Sequence, residues 1–263
     1  MSPFFLSLLS GAFIGAAAGY LGSLMLTRRM ALVAGPLGHL TLPGIALALL
    51  WGFDVSLGAF PFVILGVLLI WLLEMRTRLP MEALTAVVFA SGVAITFLFL
   101  PIEQAETALV GDISMVGIGD TAFSVIASIV IVLVVRHAYP KLVLGNISEE
   151  LAAAEHVALK RYNLLYLCLI AVIVALGVKM VGGLLTAALV AIPPSAARNV
   201  GRNLRQYTLG AAALGMASAV IGIVLFDLTG LPAGPLIIIV STAIFLLTLP
   251  LARKSRRRRR AEA

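Results

Sequence analysis

Residues 4–27 read FFLSLLSGAFIGAAAGYLGSLMLT, and Arg28-Arg29 follow at once. This uncharged run exceeds the roughly 18 residues needed to cross hydrocarbon. It has no basic residue ahead of it and a basic pair behind it. That is the reverse of a cleaved secretory leader, so the run is read as a retained span. Leu57 to Leu73 is a second such run, and several more follow. Hydrophobic residues make up 61% of the 263 and charged residues 12%, against about 25% charged in an ordinary soluble domain. Lipid is therefore the solvent, and one membrane domain accounts for the length.

Spans are expected near residues 4–27, 31–53, 57–73, 81–100, 121–139, 162–178, 181–197, 206–227 and 232–250. The sequence predicts an all-α membrane protein, a polytopic bundle of eight or nine transmembrane helices. The seventh span carries Pro193-Pro194 and follows the sixth after a short turn, so a partial, re-entrant crossing is the alternative there. Residues 1–250 form the transmembrane domain and 251–263 a basic tail. Eighteen of the nineteen Lys and Arg residues fall in alternate gaps, the pattern of positive-inside sorting. The amino terminus is then outside, the carboxyl terminus cytoplasmic, and the protein multi-pass in a bacterial-type inner (cytoplasmic) membrane. The net charge of +7 and the Arg256 to Arg260 run point to anionic membrane lipids, not to nucleic acid. Cys168 is the sole cysteine and is read as packing.

The longest inner loop, about 141–161, holds a segment foreign to lipid. Ser148 is a good N-cap, Glu149 and Glu150 suit the positive end of a helix dipole, and Lys160-Arg161 suit the negative end. A helix of roughly a dozen residues reaches only about 18 Å, too short to span. Resting at the interface would favour a Lys/Arg-rich polar face. Glu149, Glu150 and Glu155 with the small residues Ala152 to Ala154 favour docking of a soluble partner.

Gly35, Pro36, Gly38, Pro43 and Gly44 crowd the second span. Such a density bends or breaks a helix, and freed carbonyls at membrane depth must face protein or a cavity. His39 sits in this stretch, near the midplane. An intramembrane ionisable group is a functional candidate, here a transient metal ligand, with an interhelical hydrogen bond as the plain alternative. Pro193 and Pro194 are read as a kink or helix stop and, with Pro43, as candidate parts of a gate. Asp112 and Asp120 flank an outer loop and are entrance candidates. Asp227, His137 and His156 are assigned to helix ends and cytoplasmic contacts.

The sequence resembles the zinc/manganese-type ABC permease family over nearly its whole length. The matching stretches are Gly38-His39-Leu40-Thr41-Leu42-Pro43-Gly44, Leu109-Val110-Gly111-Asp112-Ile113, Val181-Gly182-Gly183-Leu184-Leu185 with Ile192-Pro193-Pro194-Ser195-Ala196-Ala197-Arg198, and Leu231-Pro232-Ala233-Gly234-Pro235. They stand in the family's order, with the segment near 148–161 in the place of a coupling helix. The resemblance implies a type II ABC importer-like bundle, two copies of the permease, cytoplasmic ATPase subunits and an extracytoplasmic metal-binding receptor. It implies zinc or manganese as the transported ion, no permanently bound cofactor, and ATP only through the partner subunit. No phosphate-binding loop of the Gly-x-x-x-x-Gly-Lys-Ser/Thr type occurs in the chain, consistent with a transport subunit that is not itself an enzyme. In the family an Asp usually stands four residues before the His; here that position is Gly35. The alternatives are a permease for metal chelates of the cobalamin or siderophore type, or an ion-coupled secondary transporter. The spans carry few titratable groups for a proton relay. Nor do they show the paired residues of an intramembrane enzyme.

The topology has a direct test. Single cysteines at Ser255 and Thr107, in a Cys168→Ala background, are expected to differ in labelling by an impermeant thiol reagent applied to whole cells. Thr107 should label and Ser255 should not; equal labelling overturns the assignment.

Overall fold

The computed structural model describes residues 2–27, 34–77, 79–99, 113 and 116–261, and among them there is no strand. The helices are α1 (Pro3–Thr27), α2 (Ala34–His39), α3 (Leu42–Trp51), α4 (Val55–Arg76), α5 (Met81–Phe99) and α6 (Ile118–Ile147). They continue as α7 (Glu149–Ala154), α8 (Leu159–Val181), α9 (Gly183–Val200), α10 (Leu204–Thr229) and α11 (Ala233–Ala261). Among the described residues six helices are long and apolar enough to cross a membrane: α1, α4, α6, α8, α10 and α11. The shorter apolar α5, the split pair α2–α3 and the proline-bearing α9 supply the rest of the expected eight or nine.

At the centre stands α1, packed against α10, α6, α9 and α8. Its contact with α10 works through absent side chains. The Gly15 Cα meets the carbonyl of Gly215, Gly215 meets the carbonyl of Gly15, and Gly19 meets the carbonyl of Ala211. One further turn along the same antiparallel ladder, the Tyr207 hydroxyl donates to the Ser23 carbonyl at 3.1 Å. In lipid no hydrophobic effect drives helices together, so dispersion contacts at such close approach supply much of the attraction.

The prolines of α9 do not stop it. Residues 193 and 194 have no amide to donate to the carbonyls of Leu189 and Val190, yet the helix runs on to Val200. It survives because it is enclosed by α1, α2, α8, α10 and α11. The Val190 carbonyl lies against the Gly22 Cα of α1, with the Pro194 ring beside it. At the other end, Gly182 joins α8 to α9 at φ 84, ψ 162, a conformation open essentially to glycine alone. The Thr186 hydroxyl donates to its carbonyl at 2.7 Å.

On the inner side the structure redraws the expected loop. Instead of ending near residue 139, α6 runs on to Ile147, and Lys141 Nζ donates to the Tyr162 hydroxyl of α8 at 2.6 Å. Ser148 caps the next helix as expected, its Oγ accepting from the Leu151 amide at 3.2 Å. That helix, however, ends at Ala154 and not near Arg161. His156 takes φ 53, and the Val157 amide reaches back to the Ala152 carbonyl at 2.9 Å. This is a Schellman stop with histidine in the place usually held by glycine. Lys160 and Arg161 consequently belong to the first turn of α8 and do not close α7.

A side chain at Gly15 or Gly215 has no room, whereas one at Gly119 meets nothing within 4 Å. Gly15→Leu and Gly215→Leu should each cost more than about 3 kcal/mol by forcing α1 from α10. The expected result is a strongly lowered melting temperature in detergent, with Gly119→Leu unchanged. Equal melting of all three would refute the glycine seam.

Candidate functional site

The second span is broken at Leu40 and Thr41, between α2 and α3. Pro43 occupies the first turn of α3, where its missing amide is harmless to that helix. It nonetheless leaves the His39 carbonyl without a donor four residues on. The break is held in three ways. Thr41 Oγ1 donates to the Gly38 carbonyl at 2.6 Å in a buried setting. The Leu40 amide donates to the Pro36 carbonyl at 3.2 Å, and the Ile45 amide to the Thr41 carbonyl at 2.9 Å. The Leu40 side chain wedges between Gly66 of α4 and Gly92 of α5, one methyl against each.

His39 ends α2, half-buried, with its ring 5.1 Å from that of Phe89 at 51°. Phe89 and Gly92 share a face of α5, so Leu40 and His39 contact neighbouring turns of that helix. Around α2 stand α9, α5, α8 and α4. The gate candidates Pro193 and Pro194 lie on α9, whereas Pro43 lies on α3, which packs on α4 and α5. Among the described residues no group of three or more His, Cys, Asp or Glu gathers. A single imidazole and a freed carbonyl can offer a cation a transient hold but not a closed tetrahedral site.

The acids lie elsewhere. Asp112 is outside the described residues. Asp120 sits in the first turn of α6, Oδ2 accepting from the Gly117 amide at 3.0 Å. It lines a cavity of about 470 Å³ with Asp54, Ser10 and Ser124 and with apolar side chains of α1, α4, α6 and α8. Asp54 was not among the candidates drawn from the sequence. Asp120 and His39 are on different helices whose neighbours overlap only at α8: α6 packs on α1, α8 and α7, and α2 on α9, α5, α8 and α4.

On the inner side α7 packs against α6. Glu150, Leu151, Ala154 and Glu155 are exposed, whereas Ala152 is fully buried. Ala152 was expected on the docking face. It turns inward instead, and Leu151 takes the outward position. The signal for this was the helical period: Leu151 and Ala154 lie three apart with Glu150 and Glu155 beside them. Glu149 and Ala153 belong to α7.

A model of the ABC 3 transport family matches residues 3–252. The manganese import system permease protein ScaB of Streptococcus gordonii is 26% identical over 254 residues, covering 95% of this chain and 91% of its own length. The high-affinity zinc uptake system membrane protein ZnuB of Haemophilus influenzae is 26% identical over 251 residues, covering 93% of this chain and 96% of its own. Among solved structures, PsaBC from Streptococcus pneumoniae in complex with Fab shares the fold. Its TM-score is 0.82 at 22% identity, over 96% of this chain and 94% of that one. With a broken second span, a central helix bearing two prolines and a family match over almost its entire length, the chain belongs to the ABC 3 transport family.

Proposed function

We propose that the chain is the membrane permease of an importer that carries manganese or zinc inward across the cytoplasmic membrane, driven by ATP hydrolysed in a separate chain. The observation that carries this reading is His39 at the break of the second span, half-buried beside α5 and packed through α2 onto α9. It is supported by relatives named for manganese and zinc uptake that match nearly the full length. A second copy of the permease, cytoplasmic ATPase subunits and an extracytoplasmic receptor complete the assembly, with the amino terminus outside and the carboxyl terminus inside.

In this reading the cargo ion meets the His39 imidazole, and the carbonyl that Pro43 frees can join it. With glycine at position 35, no carboxylate stands one turn away on α2 to hold the ion longer. Tight binding would oppose release, so a weak contact suits a conduit. Glu103, Glu106 and Asp112, in the segment between α5 and α6, draw cations toward the outer face as an entrance. Pro193 and Pro194 give α9 fewer internal hydrogen bonds to break when the pathway gates. Glu150, Leu151, Ala154 and Glu155 form the surface that docks the ATPase.

Radiometal uptake by reconstituted complexes tests the ion contact. His39→Ala is expected to lower uptake at limiting metal about fivefold, the equivalent of about 1 kcal/mol, with expression unchanged. Gly35→Asp is expected to retain the ion longer and slow turnover. Unchanged uptake of manganese and zinc in His39→Ala would return His39 to packing.

Docking has its own test. Glu150→Lys combined with Leu151→Asp alters only exposed side chains of α7. ATPase stimulation should fall at least about tenfold, as expected when an exposed anchor and its neighbouring charge are lost from an interface. Membrane insertion and yield should not change. Normal co-purification and stimulation would remove α7 from the interface.

A further inference from the structure

Two turns before α6 ends, Tyr139 is turned into the bundle. It is 5% exposed and belongs to the same core as Tyr20 and Leu24 of α1. Its hydroxyl is buried and has no hydrogen-bond partner among the described residues. A phenol buried in this way loses its water and gains no bond in exchange, which disfavours the conformation that strands it by roughly five- to a hundredfold.

The surroundings are polar enough to make that isolation specific. The Tyr207 hydroxyl of α10 donates to the Ser23 carbonyl of α1 at 3.1 Å and is hydrogen-bonded to the Thr27 side chain as well. Thr27 Oγ1 donates to the same Ser23 carbonyl at 2.8 Å, so both lone pairs of that oxygen are taken. One turn back along α1, Ser23 Oγ donates to the Tyr20 carbonyl at 2.7 Å. Tyr139 lies within electrostatic reach of both Tyr20 and Tyr207. It is thus beside a hydrogen-bonded cluster that joins α1 to α10, and outside it.

Its place in the chain gives the isolation a use. Tyr139 stands about 12 Å along α6 from Ile147, and only Ser148 separates α6 from α7. Because α7 packs on α6, a load on α7 enters the bundle through the inner end of α6. The other neighbours of α6 are α1 and α8. Toward α8 the inner end is fastened by Lys141 on the Tyr162 hydroxyl. Toward α1 the polar contact at this depth is unmade.

We propose that Tyr139 couples the docking helix α7 to the centre of the bundle: its hydroxyl is stranded in the described conformation and bonds to α1 or α10 in a second one. A shift of α6 driven from α7 brings it to an acceptor, of which the hydroxyl oxygens of Tyr20 and Tyr207 are the ones at hand. Each conformation is then favoured by a bond that the other lacks, the property a two-state element needs. This inference rests on α7 as the surface that meets the ATPase.

Two measurements test it. In detergent, Tyr139→Phe keeps the ring and removes the stranded hydroxyl, so the melting temperature of the full chain should rise by about 2–4 °C. Tyr207→Phe removes a bond made in this conformation and should lower it by a similar amount. In the complex with its ATPase subunits reconstituted in vesicles, Tyr139→Phe should bind the ATPase normally yet carry at least about fivefold less manganese per ATP hydrolysed. A lowered or unchanged melting temperature in Tyr139→Phe overturns the proposal, since the hydroxyl would not be stranded. An unchanged ratio of manganese to ATP overturns it too, leaving the hydroxyl without a role in coupling. Failure of the docking reading is told apart by Glu150→Lys with Leu151→Asp, which would then bind the ATPase normally while the opposite melting shifts of the two tyrosine variants persist.

Discussion

A proline inside the bilayer leaves a carbonyl with no donor one turn behind it, and lipid supplies none. Three of the carbonyls so freed show how differently that need is met. Behind Pro194, the Val190 carbonyl is covered by the Gly22 Cα of α1, a close approach that fixes the two central helices together. Behind Pro43, the His39 carbonyl lies at a break that Thr41 and Leu40 hold in shape. Behind Pro61, the Leu57 carbonyl borders a groove open to lipid. The first is closed by packing, and the second lies where the ion contact is proposed.

That division depends on α1. Its glycines at 15, 19 and 22 let α10 and α9 come within backbone contact. With those faces in place, α9 is enclosed on its remaining sides by α2, α8 and α11. An enclosed helix can be less apolar than its neighbours, since it meets no lipid. This explains why α9 does not rank with the six long apolar helices although it lies deep in the bundle. Its proline pair, read from sequence as a stop or partial crossing, costs little where neighbours surround the freed carbonyls.

Composition and the order of charges carried most of the fold. Long uncharged runs make α1, α4, α6, α8, α10 and α11 legible, because hydrocarbon thickness sets their length. The break at His39 was legible too, from five glycines and prolines within ten residues. Where α7 ends was not. Sequence rules place glycine at a left-handed helix stop and read Lys160-Arg161 as dipole partners, whereas His156 adopts the stop and the basic pair opens α8. Asp54 was equally hidden: only the fold sets it, just before α4, in the lining of the same cavity as Asp120.

The substitution that most separates this chain from the pattern it resembles is Gly35, and its setting gives that departure a physical sense. An Asp one turn before His39 would add a charge to a helix of six residues, enclosed by α9, α5, α8 and α4. Burying an unpaired carboxylate is costly unless a cation or strong donors accompany it. Glycine avoids that cost and leaves the imidazole as the one titratable side chain that α2 contributes. Under the proposed function, the exchange moves the pathway from holding its ion toward passing it. In the proposed reading, affinity then comes from outside the permease, from a receptor that binds tightly before delivery, while the break at His39 lowers the barrier between the two faces of the membrane.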